Sequence, residues 1–195
     1  MIMGSTILTP QILYAAYSQG YFPMPDPTTG EIHWYRPDPR AIIPLNSFHL
    51  GKSTKKILRK NNFQVTFSHS FTEVMKSCSR PGETWINEEI IEAYSLLHKV
   101  GAAQSVEIWE NNHLIAGVYG VNFGAAFFAE SMFYRVSNFS KIALYYLVEK
   151  LKERNFTLLE CQFLTDHLRS LGAVEIPDSE YMKLLQQALK KDTYF

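Results

Sequence analysis

The apolar pattern changes period twice in the second half of the chain, and that change restricts the fold more than any other feature of the sequence. From Ala103 onward, Ser105, Glu107 and Trp109 alternate with Val106 and Ile108, the period of a half-buried strand. Asn111-Asn112 is turn chemistry, so residues 113–121 return as a hairpin partner. Residues 125–133 read as a third strand. Ser137 or Asn138 then caps an amphipathic helix reaching residue 154. The run Phe156-Thr157-Leu158-Leu159-Glu160-Cys161-Gln162-Phe163 goes back to strand character.

Three antiparallel strands, a helix, a strand and a further helix make the order of an α/β (α+β) acetyltransferase-like (GNAT-type) fold with a mixed, largely antiparallel sheet. That is a likeness of topology, which says little about activity. Upstream, Thr9-Pro10 opens a helix over residues 10–19 and Gly20 closes it. Residues 21–30 are too rich in proline to read as regular, and Trp34-Tyr35-Arg36-Pro37-Asp38-Pro39-Arg40 reads as a rigid aromatic and basic segment. Helices are expected at 52–61, 70–78 and 88–99, with a strand at 63–67. We expect two units, a small N-terminal domain over residues 1–68 and an acetyltransferase-like catalytic domain over residues 69–195.

Glu160 and Gln162 are two residues apart on a strand, so they share a face. Leaving both buried without partners would cost several kcal/mol, on the order of 2–7 per group. Either a structural hydrogen-bond network satisfies them or they line a cleft and do chemistry. Glu130 ends another apolar stretch, Ala125-Ala126-Phe127-Phe128-Ala129. It can pair with Arg135, or converge with Glu160 and Gln162 on a cleft suited to a cationic substrate.

Lys52, Lys55, Lys56, Arg59 and Lys60 recur at helical spacing with no acid between them. Such a stripe is either a solvated face or a surface for a polyanion. With nineteen basic and nineteen acidic residues the chain has no net charge, so attraction to nucleic acid must come from such local asymmetry. Hydrophobic residues at 46% and charged residues at 19% describe a folded globular chain. Six histidines and two cysteines show no metal-ligand spacing, and no stretch of about 18 apolar residues suggests a membrane span. Neither Ser131 nor Cys161 has a base beside it in sequence, so nothing points to a covalent intermediate.

Several segments, in order, resemble the leucyl/phenylalanyl-tRNA–protein transferase family: Gly20-Tyr21-Phe22-Pro23, Trp34, Arg36-Pro37-Asp38-Pro39-Arg40, Glu83-Thr84-Trp85-Ile86, Ala93-Tyr94 and His98. Further on come Tyr119-Gly120-Val121, Glu130-Ser131-Met132-Phe133, Cys161-Gln162, Asp166-His167 and Ser170-Leu171-Gly172-Ala173. The resemblance runs from about Thr9 to Tyr181. It implies a cytoplasmic, monomeric aminoacyltransferase of the N-degron (N-end rule) protein degradation pathway. Such an enzyme moves leucine or phenylalanine, less well methionine, from aminoacyl-tRNA to proteins beginning with arginine or lysine.

An aminoacyl ester is already activated, so no cofactor or metal is expected, only the holding of ester and amine in reactive geometry. By resemblance, Gln162 orients the attacking amine, Glu160 holds and polarises Gln162, and Glu130 anchors the cationic acceptor or helps to orient the reacting groups. The resemblance also gives Met24, Trp85, Val118, Phe127, Met132, Leu144 and Leu159 the aminoacyl side chain, and Lys52, Lys55, Lys56, Arg59 and Lys60 the tRNA phosphates. Two residues depart from the family pattern. Met24 stands where tryptophan is usual, and Glu160 stands where aspartate is usual, which opens the alternative of a changed acceptor preference toward acidic N-termini. The other alternative is an acyl-CoA N-acyltransferase on the same fold. Against it, the loop Phe133-Tyr134-Arg135-Val136-Ser137-Asn138-Phe139-Ser140 lacks the glycines that cradle a pyrophosphate.

Overall fold

Helix α1 (Pro10–Ser18) begins where the Thr9 hydroxyl accepts the Ile12 N–H at 3.2 Å, carries proline at its first position, and gives way to Gly20 at φ +80°. The computed structural model describes residues 8–26, 28–79 and 86–195. After α1 the chain forms a two-stranded antiparallel ribbon from β1 (Phe22–Pro25) and β2 (Ile32–Tyr35), with Phe22 opposite Tyr35. Prolines had argued for irregular chain here. In a two-stranded ribbon both strands are edges, and an edge tolerates a residue with no N–H to donate.

Strand β3 (Arg40–Ile42) follows, then helix α2 (Lys52–Lys60), ended by Asn61 in the left-handed region, and strand β4 (Gln64–Phe67). Helices α3 (Phe71–Cys78) and α4 (Glu88–Lys99) come next, the second capped by Asn87, whose side chain accepts the Ile90 N–H at 2.9 Å. The meander is as the periodicity indicated: β5 (Ala103–Glu110), β6 (His113–Phe123) and β7 (Ala126–Tyr134). Asn111 and Asn112 both take positive φ, the conformation a tight hairpin demands. Helix α5 (Phe139–Glu153) crosses back to β8 (Leu158–Gln162), and α6 (Asp166–Arg169), β9 (Val174–Ile176) and α7 (Asp178–Leu189) complete the order.

Seven strands form one sheet in the order β4-β5-β6-β7-β8-β3-β9, antiparallel except for β7 and β8, which the α5 crossover makes parallel. This is the mixed, largely antiparallel sheet expected. Two strands that lie before residue 68, β3 and β4, are both part of this sheet. Three-residue strands such as β3 and β9 carry no period for a sequence to show, and their pairing is entirely non-local.

Each face of the sheet buries its own apolar cluster. One gathers Leu13 and Tyr17 of α1, Met75, Tyr94, Phe128 and Leu185; the other gathers Val118, Phe127, Leu159 and the α5 stripe Leu144, Leu147, Val148 and Leu151. Full burial of each such side chain is worth about 1.5–3 kcal/mol. Among the described residues no helix is long and apolar enough to cross a membrane.

Candidate active site

Strands β7 and β8 pair at Ala126–Leu158, Phe127–Leu159 and Phe128–Glu160, and there the pairing ends. Two local irregularities turn side chains into the place where they part. On β7 the register against β6 jumps from Gly120 opposite Ala129 to Tyr119 opposite Ser131, so Glu130 is the extra residue of a β-bulge. A Cβ on Gly120 would overlap the Phe128 carbonyl oxygen, so the bulge requires glycine on its partner strand. On β8 the chain ends in a tight turn: the Phe163 N–H donates to the Cys161 carbonyl at 2.8 Å, and Gln162 between them sits at φ +63°. Positive φ at the centre of a γ-turn is rare and strained, and such strain gathers at functional sites.

The two irregularities bring Glu130 and Gln162 together. The Gln162 side-chain amide donates to Glu130 Oε2 at 2.9 Å, and the Tyr17 hydroxyl donates to Glu130 Oε1 at 2.6 Å. The Tyr94 hydroxyl meets that of Tyr17 at 2.5 Å. Glu160 behaves differently from the expectation that it holds the Gln162 side chain. Its Oε1 accepts the Gln162 backbone N–H at 2.7 Å and Arg40 Nη1 at 3.1 Å. Arg135 does not pair with Glu130; its Nε donates to the Leu114 carbonyl.

Burial pushes the Glu130 carboxyl up to about 8, against the pull of the Tyr17 hydrogen bond. Burial also raises Glu160, while Arg40 beside it pulls it back. Both donors to Glu160 fall on one oxygen, Oε1. Burial holds the Tyr17 and Tyr94 hydroxyls well above their ordinary range, so both stay neutral donors. The Cys161 thiol is likewise pushed up by burial, away from thiolate chemistry. Only Gln162 is half-buried; Glu130 and Glu160 are buried, so a substrate meets the carboxamide first.

Residues 42–186 match the family model of leucyl/phenylalanyl-tRNA protein transferase, and residues 7–38 match the model of that family's N-terminal domain. The chain is 48% identical to the leucyl/phenylalanyl-tRNA–protein transferase of Akkermansia muciniphila, over 94% of this chain and 97% of that one. It is 47% identical to that of Zymomonas mobilis, over 98% of this chain and 72% of the relative. The chain belongs to the leucyl/phenylalanyl-tRNA–protein transferase family. It is therefore an aminoacyltransferase. Among solved structures, a GCN5-related N-acetyltransferase from Kribbella flavida is 11% identical with a TM-score of 0.45, over 87% of this chain and 61% of that one.

In this transferase the residues expected to hold the aminoacyl side chain do not form one open wall. Val118, Phe127, Leu144 and Leu159 lie in the cluster on the α5 face, each at most 2% exposed, and half-buried Met132 packs against them. Met24 packs on the opposite cluster, the one that holds Tyr17 and Tyr94. Trp85 lies outside the described residues. All five cations of α2 are exposed, and none pairs with an acid among the described residues. Ile57 and Leu58 of α2 pack against the α5-side cluster.

Sequence reasoning gave no role to three residues of this site. Tyr17 and Tyr94 fall on the apolar faces of their helices and read there as core aromatics. Arg40 did carry a signal: it adjoins the apolar run Ala41-Ile42-Ile43, as Glu130 adjoins its own, and it is 1% exposed.

Proposed function

We propose that this transferase moves leucine or phenylalanine, and methionine less well, from aminoacyl-tRNA to the α-amine of proteins beginning with arginine or lysine. It does so as a cytoplasmic monomer that marks proteins for N-degron degradation. The hydrogen bond from the Gln162 amide to Glu130, at the mouth of the gap between β7 and β8, carries the reading. With the amide nitrogen committed to Glu130, the Gln162 carbonyl oxygen is the acceptor left to face an incoming amine.

Glu130 then has the right proton affinity. An α-ammonium has an ordinary pKa of about 7.7–8.0, and the Glu130 carboxyl at about 8 matches it, so the proton moves between them at little cost. The freed amine attacks the ester carbonyl carbon and the new C–N bond forms. The ester C–O bond then breaks; the leaving ribose oxygen takes the proton held by Glu130, and the second proton shed by nitrogen returns to Glu130. Ladder pairing to β8 stops at Phe128, so main-chain N–H groups further along that edge are suited to the tetrahedral oxyanion. Phe127 and Leu159, partners one step before the pairing ends, would floor the site for the aminoacyl side chain, with Val118, Leu144 and Met132 of the same cluster around it; Met24, on the opposite cluster, is not part of that wall. Such an apolar site separates substrates by only about 1–3 kcal/mol per methylene, which suits leucine, phenylalanine and methionine together.

The extra methylene of Glu160 favours no shift to acidic acceptors. Its carboxylate is 0% exposed and paired with Arg40, out of an acceptor's reach.

Transfer of labelled leucine from charged tRNA to peptides beginning with Arg, Lys, Asp or Glu tests the whole reading. Transfer is expected to the first two, and absence of transfer to all four would refute it. Gln162→Ala is expected to lower turnover about 100-fold or more with tRNA binding nearly unchanged.

A further inference from the structure

Arg40 is buried inside the sheet, opening β3 between β8 and β9, and its guanidinium is divided between two elements. Nη1 donates to Glu160 Oε1 at 3.1 Å, and Nη2 donates to the Gly20 carbonyl. Gly20 ends the turn that closes α1, its N–H donating to the Tyr17 carbonyl at 3.0 Å. Glu160 Oε1 in turn holds the Gln162 N–H. The contacts form a ring: Tyr17 through the end of α1 to Gly20, Arg40, Glu160, Gln162, Glu130 and back to Tyr17. A Cβ on Gly20 would sit 3.3 Å from Arg40 Nη2, so glycine also makes room for the guanidinium.

An ion pair selected for strength would be bidentate. This one is not. Arg40 Nε and Glu160 Oε2 are both buried without a hydrogen-bond partner, as is the hydroxyl of Tyr181, whose ring lies 4.4 Å from the guanidinium carbon. Doubling up on Glu160 would strengthen the pair but release Gly20. The arrangement gives up pairing energy and gains a fixed distance between the end of α1 and the end of β8.

We propose that Arg40 is a positioning residue of the transfer reaction, the joint that sets Tyr17 and Gln162 on the two oxygens of Glu130. The proposal rests on the reading that Glu130 and Gln162 handle the amine. Lysine keeps the charge but offers one nitrogen, which cannot serve Gly20 and Glu160 in the same way. Arg40→Lys is therefore expected to lower kcat about 30-fold or more while KM for aminoacyl-tRNA stays within about threefold, since displacements near 1 Å cost that much. The control is Leu151→Ala, a buried change in α5 within the cluster on the other face of the sheet from Tyr17 and Tyr94, which is expected to lower Tm at least as far and leave kcat unchanged. A second readout does not depend on activity: the side-chain amide NMR signal of Gln162, assigned by its loss in Gln162→Ala, is expected to move toward a free carboxamide in Arg40→Lys. If wild-type protein transfers nothing, the functional reading fails, and the amide signal still decides the role of Arg40. An unmoved signal, or a kcat loss no larger than that of Leu151→Ala, overturns the proposal. Should Arg40→Lys not fold, Glu160→Gln keeps the shape and an acceptor oxygen but removes the anion. The same kcat loss and amide shift are expected there, and their absence counts against the joint.

Discussion

Glu130 holds a proton at pH values where an ordinary glutamate has lost it, and this has a consequence for stability. Its carboxyl is raised to about 8 by burial, against an unfolded value of about 4.3. Between those two values the folded chain binds more protons than the unfolded one, so stability falls as pH rises. The contribution is complete below the unfolded pKa and is lost as pH rises through the folded one. Urea unfolding between pH 5 and 9 is expected to show that decline, and Glu130→Gln, which cannot ionise, to flatten it; an equal slope in both proteins would place the proton elsewhere. On the proposed mechanism, turnover should rise over the same interval, as Glu130 becomes a base. At this scale the polar residues of the candidate site were legible. A carboxylate or carboxamide inside an apolar run is costly enough to stand out, which exposed Glu130, Glu160 and Gln162. Which of them touch, and through which atoms, was not legible, because a bulge at Glu130 and a γ-turn at Gln162 set those contacts and neither has a sequence period.

Helix α2 is electrostatically awkward as a helix. Lys52, Lys55 and Lys56 crowd its N-terminal half, where the helix dipole disfavours cations by about 0.3–1 kcal/mol each, and no acid lies in its first turn. Neighbours three and four apart repel as well. Local stability alone would not select such a row, whereas phosphates would relieve it. Neutralising Lys55, Lys56 and Arg59 together is expected to weaken tRNA binding and reduce the slope of log affinity against log salt by about 3; an unchanged slope would leave the stripe a solvated face. The long periodic elements, α2, α5 and the β5 to β7 meander, were legible because each repeats its period over two turns or more. The ribbon β1–β2 and the short strands β3 and β9 were not, since proline content hid the first and brevity the others.

At the scale of the molecule, the N-terminal third contributes two strands to the seven-stranded sheet that carries the candidate site. β3 is hydrogen-bonded between β8 and β9, and β4 forms the edge beside β5. A fragment of residues 69–195 would lose the strand that covers β8, and Arg40 with it, leaving Glu160 a buried charge without its partner, a loss of about 3–5 kcal/mol. That fragment is expected to lack cooperative unfolding by circular dichroism and calorimetry, while the full chain unfolds in one transition by both; a cooperative fragment would show the division at residue 68 to be a true domain boundary.

The place of β3 also has a temporal side. Ala41 pairs with Gln162, some 120 positions later in the chain, and on the ribosome residues emerge at about 5–20 per second. Arg40 is made early and waits several seconds for the strand that receives it. The site therefore cannot assemble until synthesis has passed Gln162, and a chain that stops short of β8 carries the basic helix α2 but no Glu160 to receive Arg40.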